Sequence, residues 1–185
     1  RQVLSENYDF ELDIIGQDLS VPEITDADSY FDIMYKHNVI VDEKINLTSF
    51  SILFARYKGN LKTLVNGAFC IDNLKNGDKI LISEGCTHHR QCGDIGTVKL
   101  PALLKKYTQK EFEYTFTSGE DFSKNLSEYS LIIHCGACML NATEVQNRIR
   151  MAEQVNVPVV NYGIAISYMN GILKRCLNIF SDEIL

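Results

Sequence analysis

The 185-residue chain is expected to fold as an α/β protein, with a small α/β unit over residues 1–77 and then, over residues 78–185, a mainly parallel sheet flanked by helices. Three observations carry this expectation. Short apolar runs recur after residue 77, amphipathic helical stretches fall between them, and the apolar clusters before residue 77 follow a different, irregular rhythm. Strands that alternate with helices are the pattern of a parallel sheet, because parallel neighbours need a crossover and a helix usually makes it.

In chain order, the early apolar residues gather as YDFELDIIG, ITDADSYFDIMYKHNVIV and the dense INLTSFSILFARYKG. Leu61, Leu64, Val65, Ala68 and Ile71 then recur at helical spacing with Gly77 as a stop, so a helix closes the first unit. KILIS (79–83) is a first strand, and LPALLKKYT is the helical stretch after the intervening loop. FEYTFTS (112–118) is a second strand by its aromatic and β-favouring residues, and SLIIH (130–134) a third. Asn141, with Glu144 three places on, opens the next helix in the manner of a capping box. Val145, Ile149, Ala152 and Val155 share one face of it, and Pro158 ends it. VPVVNYG supplies a fourth strand, and Ala165, Met169, Ile172, Leu173, Cys176 and Phe180 form the stripe of one last helix.

Composition removes several function classes. A chain that is 45% hydrophobic and 23% charged is ordinary for a soluble globular protein. Its net charge of -6 argues against a phosphate-binding surface, so no nucleic-acid partner is expected. No run approaches the roughly 18 apolar residues of a membrane span, and the opening RQVLSENYDF lacks the features of a secretory signal. A cytoplasmic protein with no membrane partner is therefore expected, and the start on Arg1 rather than Met suits a piece of a longer protein. In a reducing compartment the six cysteines read as metal ligands or small buried hydrophobes rather than as three disulfides.

Seven candidate ligands crowd into two loops. EGCTHHRQCGDIG (84–96) holds Cys86, His88, His89 and Cys92, and HCGAC (134–138) holds His134 and the pair Cys135 and Cys138. Each loop follows a strand, and in open α/β sheets ligands sit beyond the carboxyl ends of the strands. Should the first and third strands be neighbours, Cys86, Cys135 and Cys138 converge on one point. The CxxC spacing lets two thiolates face one metal, and it also serves redox pairs. A helix that starts at Asn141, after the motif rather than inside it, favours metal over dithiol exchange.

His88 and His89 are adjacent, so on an extended backbone they point apart and only one faces the site. His134 reads equally as a ligand or as a hydrogen-bonded histidine behind the ligands. Cys92 raises the competing reading, a closed tetrahedral zinc site of Cys86, Cys92, Cys135 and Cys138. Cys176 lies on an apolar stripe and reads as core, Cys70 faces away from the stripe of its helix, and His37 reads as surface.

LTSFSILFARYKGNL, CTHHRQCGDIG, KLPALL and HCGAC, in that order, resemble the maturation GTPase of iron-iron hydrogenase, the HydF family. The first word falls in that family's dimerisation domain and the others in its iron-sulfur domain. The resemblance spans most of residues 47–185, and residues 1–46 join the dimerisation domain by position. It implies a dimerisation domain at 1–77 and a cluster-binding domain at 78–185. The family's CxH and HCxxC signature falls on Cys86, His88, His134, Cys135 and Cys138. One departure is that no G-x-x-x-x-G-K-S/T phosphate loop occurs, so GTPase activity is not expected of this chain.

The resemblance implies a 4Fe4S cluster held by Cys86, Cys135 and Cys138, with the fourth iron on a weaker ligand such as His88, His89, a carboxylate or water. Such an open position suits a carrier, whereas four thiolates, with Cys92 included, suit electron transfer. It further implies a scaffold that accepts a di-iron precursor from two radical-SAM maturases and delivers it to the apo-hydrogenase. Arg90 and Lys99 are candidate donors to that cargo, and His134 a candidate for tuning the cluster by hydrogen bonding. The apolar INLTSFSILFARY, in so small a unit, together with the resemblance, implies a homodimer.

Overall fold

The computed structural model describes residues 47–85 and 94–181. Ser49 opens helix α1 (Phe50–Lys58), with its hydroxyl accepting the Ile52 N–H at 3.4 Å. Gly59 ends α1, and Asn60 at once caps α2 (Leu61–Phe69) by accepting the Thr63 N–H at 3.1 Å. This is the helix expected from the spacing of its apolar residues. It tightens after Phe69 into a 3-10 turn, Cys70–Asn73, that still buries Ile71.

The sheet has four parallel strands, β1 (Lys79–Glu84), β2 (Glu113–Ser118), β3 (Leu131–His134) and β4 (Val159–Asn161), in the order β2-β1-β3-β4. Between β1 and β2 runs α3 (Leu100–Thr108), entered through a π-helical turn at Ile95–Lys99 that Asp94 caps. Between β3 and β4 runs α4 (Ala142–Gln154), where the Asn141 side chain accepts the Glu144 N–H at 2.8 Å. Ile80, Leu81, Ile82, Leu131, Ile132 and Ile133 are all essentially inaccessible, because both faces of the central strands are covered. Burying each of these side chains stabilises the fold by about 1.5–3 kcal/mol.

The two sheet edges differ. The side chains of β2 are all exposed or half-buried, whereas β4 is covered by α2. There α2 comes so close that a Cβ on Gly67 would sit 2.0 Å from the Val159 carbonyl oxygen. Glycine is the side chain that permits this approach.

The last helix departs from expectation. Instead of one helix there are two, α5 (Tyr162–Met169) and α6 (Leu173–Leu177), followed by a 3-10 turn at Asn178–Phe180. Gly171 takes a φ of +73°, a left-handed conformation that ends a helix. Asn170 helps by donating from Nδ2 to the Ile166 carbonyl at 2.9 Å. The stripe from Ala165 to Phe180 is nevertheless buried throughout. Among the described residues no helix is long and apolar enough to cross a membrane.

Candidate metal centre

The strand order creates the crevice. From β1 the chain passes to one side to form β2, then returns across β1 to form β3 on the other side. The loops that leave β1 and β3 therefore part company at a shared carboxyl edge, the switch point where open α/β sheets bind ligands. Ser83 and His134 are register partners, so the neighbour relation on which convergence of the thiols depends is present. Cys86, His88, His89, Arg90 and Cys92 lie outside the described residues. The residue before Cys86 is described, and it touches the second loop.

Cys135 is fixed from several directions. Its N–H donates to the Ser83 carbonyl at 2.9 Å, extending the β1–β3 pairing by one residue. Its sulfur accepts the Gly85 N–H at 3.0 Å and the Ala137 N–H at 3.4 Å. Ala137 sits at φ +56°, so a tight turn folds its N–H back over the preceding thiol. Two backbone N–H groups thus point at one sulfur. Such donors are also among the groups that set the potential of an iron-sulfur cluster. Cys138, three residues on, is exposed.

The second loop is held from below by α1. Lys58, the last residue of that helix, donates from Nζ to the carbonyls of Ala137 at 3.1 Å, Cys138 at 2.9 Å and Leu140 at 2.8 Å. The N-terminal end of α1 closes the other side. A Cβ on Gly136 would meet Ser51 Oγ at 3.1 Å, and Asn161 donates from Nδ2 to the Ser51 carbonyl at 2.7 Å. Leu140 in turn packs on Gly85, where an added Cβ would lie 2.7 Å away, so the two loops touch.

His134 is buried, and both ring nitrogens have partners. Nε2 lies 3.1 Å from Arg148 Nη1, and a guanidinium only donates, so Nε2 accepts. Nδ1 then carries the proton and donates to the Cys135 carbonyl at 2.9 Å. Burial pushes the pKa down to about 4, with the Arg148 charge adding to it, against opposing effects from the Cys135 carbonyl and Glu144. Arg148 is itself only 2% exposed. It donates from Nε to Glu144 and from Nη2 to the Gly119 carbonyl, both at 2.7 Å, and lies 5.0 Å over the Phe122 ring.

On the β1 side, Glu84 is 4% exposed and accepts the Tyr162 hydroxyl at 3.5 Å. Gly96 leaves room for both, since its Cβ would be 2.3 Å from Tyr162 Oη and 2.9 Å from Glu84 Oε1. Lys99 stands half-buried at the end of the π-helical turn. Of the other cysteines, Cys176 is fully buried, and Cys70 is half-buried with its thiol donating to the Asn66 carbonyl at 3.5 Å.

Sequence reasoning missed Lys58, Arg148 and Glu84. Lys58 sits 79 to 82 residues from the carbonyls it binds, and no local pattern marks such a contact. Among the described residues no group of three or more His, Cys, Asp or Glu is arranged for a metal ion. That statement covers the CxxC side of the crevice alone. What is present fits a thiolate-bound centre, in a sulfur held by two N–H donors and a second thiol open to the crevice edge.

Residues 62–179 match the family model described as "Hydrogen maturase F tetramerization domain", and residues 5–59 the one described as "Hydrogen maturase F dimerization domain". No GTP-binding domain is among these matches. Comparison with curated proteins gives no match.

Proposed function

The chain belongs to the hydrogen maturase F family, and on that premise we propose that it is a scaffold and carrier holding a 4Fe4S cluster on Cys86, Cys135 and Cys138. The matched domains imply a role in iron-iron hydrogenase maturation and suggest self-association. The observation that carries the finer reading is the contact between the loops, in which Gly85, the neighbour of Cys86, donates to the Cys135 sulfur. A thiol at position 86 thereby starts from a backbone already in contact with the second loop.

Three thiolates leave one iron of such a cluster without sulfur from the protein, and this would supply an exchangeable coordination position. His88 or His89 is the proposed weak ligand there, with Cys92 outside the set. The remaining residues have supporting tasks. Gly85 and Ala137 orient the Cys135 sulfur, and Arg148 fixes His134 beside it. Arg90 and Lys99 are proposed donors to a di-iron precursor, received from radical-SAM maturases and passed to the apo-hydrogenase. The chain itself would be no GTPase.

A homodimer is part of this proposal. In support, α1 turns Phe50, Leu53 and Tyr57 outward at helical spacing, 70%, 39% and 80% exposed. The proposed parts remain 1–77 for dimerisation and 78–185 for the cluster, with α1 and α2 of the first sharing the hydrophobic core of the second.

Anaerobic reconstitution with iron and sulfide, followed by electron paramagnetic resonance of the reduced chain with and without cyanide, tests the reading. A 4Fe4S signal that cyanide alters, in both the wild type and Cys92→Ser, is the expected outcome. A signal that cyanide does not alter in the wild type, or that disappears in Cys92→Ser, points to a fully thiolate-bound electron-transfer centre. A colourless chain that binds zinc stoichiometrically would sink the cluster altogether.

A further inference from the structure

A lysine at a helix end usually reaches into solvent, and a single bond to a carbonyl there is commonplace. Lys58 differs in number and direction. An ammonium has three N–H donors, and here all three go to carbonyls within one four-residue stretch, Ala137, Cys138 and Leu140. The ammonium also lies 4.8 Å from the centre of the Phe54 ring, on the same helix, which holds its position further.

The contact has a mechanical consequence for the loop. Ala137 is held at φ +56°, a left-handed conformation that costs an alanine about 1 kcal/mol, and its carbonyl is one of those bound. With the carbonyls drawn to Lys58, the Ala137 N–H is free to face the Cys135 sulfur, as observed. The contact also carries a charge. An ammonium bound at 2.9 Å to the Cys138 carbonyl places a positive charge on the residue that carries the thiol, and it would favour the more reduced, more negative state of an anionic centre there.

The two partners come from different parts of the chain. Lys58 falls within the residues matched as a dimerisation domain, and the loop within those matched as a tetramerisation domain. We propose that Lys58 is the positioning residue of the CxxC loop, the contact through which the dimerisation part of the chain sets the loop's geometry and the potential of the centre bound there. This inference rests on the cluster-binding reading for its second half and on the observed hydrogen bonds for its first.

Two measurements on the full chain separate the halves. Hydrogen exchange of the cluster-free protein, read by mass spectrometry, is expected to speed up about tenfold in peptides covering residues 135–141 of Lys58→Met. Peptides of β1 and β3 should keep wild-type protection, and Lys58→Arg should restore most of the protection in the loop. Unchanged exchange over 135–141 overturns the clamp. Should Lys58→Met loosen the strands as well, Lys58→Gln, which cannot reach three carbonyls, takes its place in both measurements.

After reconstitution, the midpoint potential of Lys58→Met is expected below that of the wild type, and that of Lys58→Arg close to it. Equal potentials in all three chains overturn the tuning role even if the clamp stands. A wild type that takes up no cluster removes the cluster-binding reading and the tuning half together, while the exchange result still decides the clamp.

Discussion

Arg148 brings a positive charge to a place almost without solvent, and three acceptors surround it there, in His134 Nε2, Glu144 Oε1 and the Gly119 carbonyl. Replacing it with methionine keeps the bulk and removes the donor from all three, most seriously from buried His134 Nε2, whereas Glu144 can turn to solvent. We expect Arg148→Met to lower stability by roughly 2 kcal/mol, seen as a lower urea midpoint. Burial, with the Arg148 charge adding to it, keeps His134 neutral. Its pKa, lowered from 6.5 to about 4, means that the unfolded chain takes up a proton before the folded one does. Stability is therefore full above pH 6.5 and declines as pH falls from 6.5 towards 4. In the cluster-free chain this slope should be present in urea titrations of the wild type and reduced in His134→Gln. HCGAC left His134 open between a ligand and a hydrogen-bonded histidine, and its arginine partner was not legible. An arginine on a helix reads as solvated surface until the fold shows that its side chain turns inward.

At the scale of elements, the four strands were legible because each central one is apolar along its length, as burial on both faces requires. The helix breaks at the end were not. The apolar stripe from Ala165 to Phe180 continues across Gly171, and periodicity records what is buried without recording where the backbone reverses. Gly67 was equally silent, reading as one more helical residue, yet it sets how near α2 comes to β4. Gly67→Ala would drive a methyl group into the Val159 carbonyl. Because that neighbour is backbone and cannot rotate away, the variant is expected to lose about 2 kcal/mol or more, and a fall in the thermal midpoint would reveal it. A melting curve unchanged from the wild type would mean that α2 can shift without cost.

At the scale of the whole molecule, the alternation of strands and helices pointed to a parallel sheet, and the pairing of β1 with β3 that brings Gly85 to the CxxC loop agrees with it. Nothing in the sequence reading pointed to self-association of residues 78–185, whereas the match to 62–179 carries a tetramerisation description. The outward residues of α1 offer a direct test of the first interface. Phe50→Asp with Tyr57→Asp should lower the mass found by light scattering at micromolar concentration, while circular dichroism stays as in the wild type. An unchanged mass would move the interface elsewhere.

The pairing of β1 with β3 has a bearing on time as well as on place. The Gly85 N–H and the Cys135 sulfur are 50 residues apart, with α3 and the whole of β2 between them. Contacts at such separations form late, after the intervening crossovers have closed. A chain still on the ribosome with only β1 and its loop emerged would thus present Cys86 and its loop neighbours without Cys135 and Cys138. On the proposed ligand set, the three thiols would come together only once synthesis has passed Cys138 and the central strands have joined, so the finished sheet would itself be the precondition for loading.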